Sequence, residues 1–295
     1  MRTLVHLAIL TALAGTAPAS LAAQDHDFNI STRTDGPVRS CSDLQMTWDG
    51  QPAATSVDTL TASGGELSVH APKNGGIYIL GTPGRSDFSI SACKAVARPS
   101  GRDATAALEK IRPAIAGKSV SASGPDSGDW VVYFVVNAPA AGNVEVETTN
   151  GPVHVERITG STTARAVNGP IRLLEVSGRA TARAINGPVA YEGHDGTIDL
   201  HTENGPIKVS LAGDRWNSGS LTASAQNGPV KVEVPRDFHS GVRITSSNFS
   251  PWKCDGCTSG KRDWDDHSRS IEIGSGPVAV TVSTLNGPVA VDWSR

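Results

Sequence analysis

Cys254 and Cys257, separated by two residues, sit in the stretch of this chain richest in groups that coordinate, stack or titrate. Trp252 precedes them, and Asp263, Trp264 and His267 follow. Thiolate, imidazole and carboxylate together make a zinc donor set, so Cys254, Cys257, Asp263 and His267 are the metal-ligand candidates. A single Cys-x-x-Cys is only half of the usual structural zinc pattern. A redox role for the pair would need a βαβ surrounding, which the sequence does not offer. A local disulfide is the favoured reading, and neither a metal nor another cofactor is expected.

Three tryptophans, Trp216, Trp252 and Trp264, fall in or beside interruptions of an otherwise regular sequence. Aromatic rings on loops of a rigid scaffold suit contacts with a sugar or a partner; the plainer alternative is that they cover the ends of a core. Asp195 and Asp199, with His194 and His201 near, offer the acidic pair of a glycan-cleaving enzyme, but nothing in their spacing sets the separation that such chemistry requires. No Gly-x-Ser-x-Gly nucleophile turn is present. Arg165 and Arg183 occupy equivalent outward positions one coil apart, with Arg157, Arg172 and Arg179 nearby, and the next coil carries acids at Glu192, Asp195, Asp199 and Glu203. They read as solvated faces that pair across neighbouring units, and as a basic stripe for an anionic glycan only secondarily. A non-enzymatic binding protein is therefore expected. The alternatives are a glycan-active enzyme on a β-helix scaffold, or a metal- or redox-dependent envelope protein using Cys254 and Cys257.

The elements that position these residues are set by Asn-Gly-Pro, which begins at Asn150, Asn168, Asn186, Asn204, Asn227 and Asn286. The first three intervals are eighteen residues each and the fourth is twenty-three. A fixed period means one unit stacked on copies of itself. Each unit carries two runs of alternating apolar residues, as at Val153 and Val155 and at Ala164 and Ala166, which read as strands. Val153, Ile171, Val189, Ile207 and Val230 are expected to form one apolar column against a thin, Ala-rich opposing run. Gly is expected to supply the backbone angles of the corner, Pro to start a strand, and the Asn amides to hydrogen-bond as a ladder. The fold expected is an all-β, single-stranded β-solenoid of about 18-residue coils. Val242, Ile244 and Ser246 read as a run of the fifth coil, with Asn248 where its corner should fall.

Residues 1–23 read as an export signal: Arg2, an apolar stretch from Leu4 to Leu13, and cleavage after Ala22 or Ala23. The apolar run is shorter than a membrane span. Removing it takes Arg2 from the 26 basic residues, which leaves 25 against 29 acids, a net of −4. That balance argues against nucleic acid as a partner. The protein is expected in the periplasm or outside the cell, not spanning a membrane, with a cell-envelope component or glycan as its partner. Residues 24–100 read as an N-terminal β module. Residues 101–143 read as a connection containing a helix over 103–116 (Ala104, Leu108, Ile111 and Ile115 on one face), a loop over 119–129 and a buried strand at Trp130–Val136. The repeats occupy 144–295, with an inserted loop at about 249–269. Four Cys in an exported chain pair; Cys41–Cys93 with Cys254–Cys257 is the preferred connectivity among the possible ones.

An export signal, a Gly-Gly-rich module ending near Ala92-Cys93, one short helix, an apolar strand and Asn-Gly repeats follow one another. They close on Gly274-Ser-Gly-Pro277 and Thr284-Leu285-Asn286-Gly287. In this order the chain resembles the bacterial exported β-strand-repeat family called adhesin-like, otherwise a domain of unknown function. The resemblance implies an exported β-solenoid with adhesion or envelope roles, and it supplies no catalytic residues.

Overall fold

The computed structural model describes residues 30–97, 101–126, 129–248, 252–254, 261–264 and 268–294; the signal-like residues 1–23 lie outside them. The described chain is all-β with one α-helix. An 11-stranded and a 12-stranded sheet each mix parallel and antiparallel pairs, and a 3-stranded sheet accompanies them. No helix among the described residues is long and apolar enough to cross a membrane.

Alternation of period two builds the centre of both sheets. In the 11-stranded sheet, Val153–Glu156, Ile171–Leu174, Val189–Gly193, Ile207–Leu211 and Val230–Pro235 are successive parallel neighbours. Val153, Ile171, Val189, Ile207 and Val230 stand in line and are buried, as are Val155, Leu173, Tyr191, Val209 and Val232. In the 12-stranded sheet, Asn143–Asn150, Ser161–Asn168, Arg179–Asn186, Gly196–Asn204 and Gly219–Asn227 pair in the same way. One of its inward lines is small throughout: Thr148, Ala166, Ala184, Thr202 and Ala225. Large residues on one sheet thus face small ones on the other, which lets the two interdigitate over a narrow gap.

The parallel ladder also reaches back into residues 66–82. Glu66–His70 pairs with Asn143–Asn150, and Ile77–Thr82 pairs with Val153–Glu156. Asn74 therefore begins the corner column. Each Asn Nδ2 donates to the Oδ1 of the Asn before it, from Asn150 onto Asn74 (3.2 Å) through Asn168 (2.9 Å), Asn186 (3.0 Å), Asn204 (3.1 Å) and Asn227 (3.2 Å) to Asn286 (2.9 Å). The glycines beside them are required for a reason other than backbone angle. Gly169, Gly187, Gly205, Gly228 and Gly287 lie outside the left-handed region, but a Cβ on any of them would fall 2.0–2.2 Å from the carbonyl oxygen of the preceding corner glycine. The corners stack too closely for a side chain.

That closeness accounts for a departure from chain order at the far end. Val278–Asn286 pairs directly with Gly219–Asn227, and Gly241–Ser247 lies beyond it. Likewise Val289–Ser294 pairs with Val230–Pro235, and Trp252–Cys254 lies beyond. The run Val242, Ile244 and Ser246 is thus outside the last Asn-Gly-Pro unit, not before it. Asn286 is followed by Gly287, whose position against Gly228 leaves no room for a side chain, whereas the sequence has no glycine after Asn248. The strand ending at Asn248 (φ 56°) can only close the column, which it does by donating to Asn286.

Two local expectations are corrected. The helix spans only Arg102–Leu108; Arg112–Ala116 and Ser119–Ser123 form an antiparallel hairpin around Gly117 (φ +63°) in place of more helix and a loop. Pro113 cannot donate within a helix and clashes with the turn before it. Ala104, Leu108 and Ile111 are nonetheless buried in the core, and Lys94 Nζ binds the carbonyls of Leu108 and Ile111, both at 3.4 Å. Within the segment expected as a loop over 249–269, Trp252–Cys254 and Lys261–Trp264 are strands, and Ser268–Ile273 pairs antiparallel with Gly241–Ser247. Each lies at the end of a sheet that offers its backbone hydrogen bonds. Finally, Trp130–Pro139 is buried on both faces, which is why its apolar run is continuous. Val132, Phe134 and Val136 enter the main core, while Val131, Tyr133 and Val135 enter a second core with Val38, Leu44 and Met46.

Candidate functional site

The second core brings an N-terminal segment across the outer face of the 11-stranded sheet. Ile30–Arg33, Gln45–Trp48 and Gln51–Pro52 form the 3-stranded sheet, and the disulfide Cys41–Cys93 ties it to the strand Asp87–Val96. Between the segment 34–39 and the sheet lies a cleft of ≈ 500 Å³ whose floor carries Tyr78, His154, Glu156 and Arg172. Pairing puts Tyr78, His154 and Arg172 side by side on consecutive strands.

Glu156 is the organising charge. It is buried, with 4% of its side chain exposed. Arg39 grips it with two hydrogen bonds, Nη1 to Oε2 at 2.7 Å and Nη2 to Oε1 at 2.9 Å. Arg157 Nη2 lies 3.2 Å from Oε1 and His154 Nε2 lies 3.7 Å from Oε2. The Arg39 hydrogen bonds hold the Glu156 carboxyl below its ordinary range against the opposing effect of burial. Burial, then the Arg172 charge, push the His154 imidazole down, so it is neutral at pH 7. Burial, with the neighbouring Tyr133, raises the Tyr78 phenol to about 12. The Tyr78 and His154 rings stack, with centroids 6.2 Å apart. Arg172 is about half exposed, and its contact with Glu192 at 3.6 Å is also exposed. Such a surface pair contributes about 0–1 kcal/mol, so this guanidinium is available to a ligand. The cleft offers an aromatic floor, one accessible cation, and a carboxylate already neutralised.

Of these residues the sequence marked only Arg157 and Arg172, as members of the outward basic group near Arg165 and Arg183. Arg39 and Glu156 are 117 positions apart, and only the crossing of the N-terminal segment joins them. His154 and Glu156 do hold outward positions in the first repeat, but nothing local marks them as covered.

The candidates read from sequence are placed as follows. Trp216 is not an exposed contact. It is buried, donates Nε1 to the Gly196 carbonyl at 3.1 Å, and lies 5.9 Å from the Tyr191 ring, filling the space that the wider interval opens. Trp252 is half-buried, donates to Ser246 Oγ, and borders a shallow groove with Pro229, Val230, Pro288 and Val289. Trp264 lies on a strand whose Asp263 is exposed. Cys254 packs against the core and is disulfide-bonded; Cys257 and His267 lie outside the described residues. No group of three or more His, Cys, Asp or Glu suited to a metal occurs among the described residues. Asp195 caps its own turn, accepting from Gly196 N at 2.7 Å and from Ser218 Oγ at 2.5 Å, while Asp199 accepts from Arg183 at 2.7 Å. His201 Nδ1 meets Ser224 Oγ at 2.9 Å. Arg165 pairs with Glu145 at 2.5 Å.

A pH dependence follows from two carboxylates on this outer face. Burial pushes Glu233 up, but hydrogen bonds from Lys208, Ser210 and Lys231 outweigh it and hold the group at about 2. Glu156 is lowered as well. A carboxylate depressed in the folded state stabilises fully above its unfolded pKa, and that stabilisation is lost as pH falls through the folded one. Thermal melts should therefore be flat from pH 7 to about 5 and fall steeply towards pH 2. Glu233→Gln should remove on the order of 2 kcal/mol of the pH-7 stability and flatten the acid limb, after allowance for solvent around the lysines. An unchanged acid limb in that variant would refute the assignment.

No family model and no curated protein matches the chain. Solved structures similar to it include the following two. A provisionally named cell adhesion protein from Clostridium sporogenes ATCC 15579 is 9% identical, with a TM-score of 0.34, covering 82% of this chain and 100% of its own. A provisionally named adhesin from Bacteroides fragilis NCTC 9343 is 14% identical, with a TM-score of 0.39, covering 81% of this chain and 97% of its own. At those scores neither likeness carries an argument about this chain.

Proposed function

We propose that this chain is an exported, non-enzymatic β-solenoid of about 18-residue coils, with an adhesin-like role in binding at the cell envelope. The cleft on the outer face of the 11-stranded sheet is its binding site. Residues 1–23 are its export signal, residues 24–100 its N-terminal β module, and residues 144–295 its repeats. Cys254 and Cys257 pair with each other and need no metal.

The observation that carries this reading is the exposed Arg172 beside the stacked Tyr78 and His154, on a floor of parallel strands locked in register. A guanidinium takes a carboxylate in two parallel hydrogen bonds, and an aromatic ring takes the apolar face of a pyranose. An acidic glycan satisfies both. Glu156 does not repel it, because Arg39 already neutralises that charge. Elsewhere on the surface Glu145 and Asp199 accept from arginines and Asp195 caps a turn, which supports a scaffold role for these three.

Titration calorimetry with a uronic-acid oligosaccharide tests the site. Arg172→Ala should weaken binding roughly tenfold or more, the worth of a charge-assisted hydrogen-bond pair, and a neutral oligosaccharide should bind weakly to both proteins. Equal affinity of parent and Arg172→Ala would refute the site. Shortening of the oligosaccharide during incubation would refute the non-enzymatic assignment.

A further inference from the structure

Each large sheet has two edges, and an edge strand presents unpaired N–H and C=O groups that invite another strand. Three of the four edges carry known deterrents. Trp252–Cys254 is three residues long. Lys261–Trp264 is four residues long and opens Lys-Arg-Asp. Arg112–Ala116 contains Pro113. The fourth edge, Ala54–Ser63, has none of these. It runs ten residues without Pro, Gly, Lys or Arg. It pairs along its whole length with Asp87–Val96 and has no neighbour on its other side among the described residues. Its one charge, Asp58, is held by Lys94 Nζ at 2.8 Å. Its outer face is Thr55, Val57, Thr59, Thr61 and Ser63, all exposed, with Val57 at 53%. On the inner face Leu60 and Ala62 touch the core yet stay only partly buried.

We propose that this edge pairs antiparallel with the same strand of a second copy, across a two-fold axis at Thr59. Residues that face each other in such a pair must lie on the same face of the sheet. With the axis at Thr59, Asp58 faces Leu60, Val57 faces Thr61 and Thr55 faces Ser63, so no like charges oppose. Moving the axis to Asp58 would set two carboxylates against each other, which destabilises. Among the axes that keep the two carboxylates apart, the one at Thr59 pairs the longest stretch of the strand, from Thr55 to Ser63. The new neighbour covers Leu60 and Ala62, and a two-fold contact uses up the exposed edge so that assembly stops at the dimer.

Sedimentation equilibrium of the purified chain over a range of concentrations tests the proposal. The parent protein should double in mass as concentration rises. Thr59→Lys and Thr59→Glu should each stay monomeric, because each sets two like charges face to face on the axis, while their far-ultraviolet spectra and melting temperatures match the parent. An equimolar mixture of the two variants should recover the dimer. A parent that is monomeric throughout, or that forms species beyond the dimer, overturns the proposal. So does a Thr59→Lys protein that still dimerises, or a mixture that does not.

Discussion

Gly187→Ala should be among the most destabilising single substitutions in this protein, lowering stability by about 4 kcal/mol and the melting temperature by roughly 10 °C. The added Cβ would sit 2.2 Å from the Gly169 carbonyl oxygen and 2.7 Å from its carbon. Both are main-chain atoms, so relief requires two corners to move apart. That movement stretches the Gly169 N–H bond to the Asn186 carbonyl (3.0 Å) and the amide link from Asn186 to Asn168 (3.0 Å). Gly65→Ala is the control. Nothing lies within 4 Å of its Cβ position, and its melting temperature should stay near the parent's. If both substitutions shift melting equally, close stacking is not what selects glycine at the corners.

Removing the disulfide in the Cys41→Ser, Cys93→Ser double variant should cost about 4 kcal/mol, the constraint that a cross-link over 52 residues places on the unfolded chain. The loss should be local. Cys93 sits in the second core, and the bridge clamps the 3-stranded sheet over it. Hydrogen exchange should quicken across Ile30–Trp48, while the strands from Val153 to Pro235 remain protected. Because residues 34–39 form one wall of the cleft, ligand binding should fall with that protection. Unchanged exchange in Ile30–Trp48 would show that the second core holds the segment unaided.

What was legible in the sequence is what is encoded within one unit. Period-two alternation sets which side chains point inward, and a corner every eighteen residues sets the register, so the column from Val153 to Val230 follows without knowledge of anything distant. What was not legible depends on competition between distant segments. Placing Val278–Asn286 against Gly219–Asn227 turns on the glycine that follows Asn286 and is missing after Asn248, a difference that matters only once the corners are known to touch. Burial of Trp216 depends on space beside Tyr191 that no local pattern announces. The helical face from Ala104 to Ile115 was read about two turns too far, because burial of Ile111 suits either conformation and Pro113 decides. The cleft escaped notice because its wall and floor come from opposite ends of a long separation.

The exchange of places near the end of the stack bears on the order in which the molecule can be assembled. Units from Val153 to Pro235 each rest on the one made just before, so the growing chain can lay them down as it emerges. Gly241–Ser247 has no such seat until Val278–Asn286 arrives beneath it. The segment made earlier must wait, unpaired on that side, for the one made later to slip between it and the finished layers. The last step at this end of the stack is then an insertion, not an addition, and as a non-local pairing it should be slow, like the pairing of residues 66–82 with the first repeat.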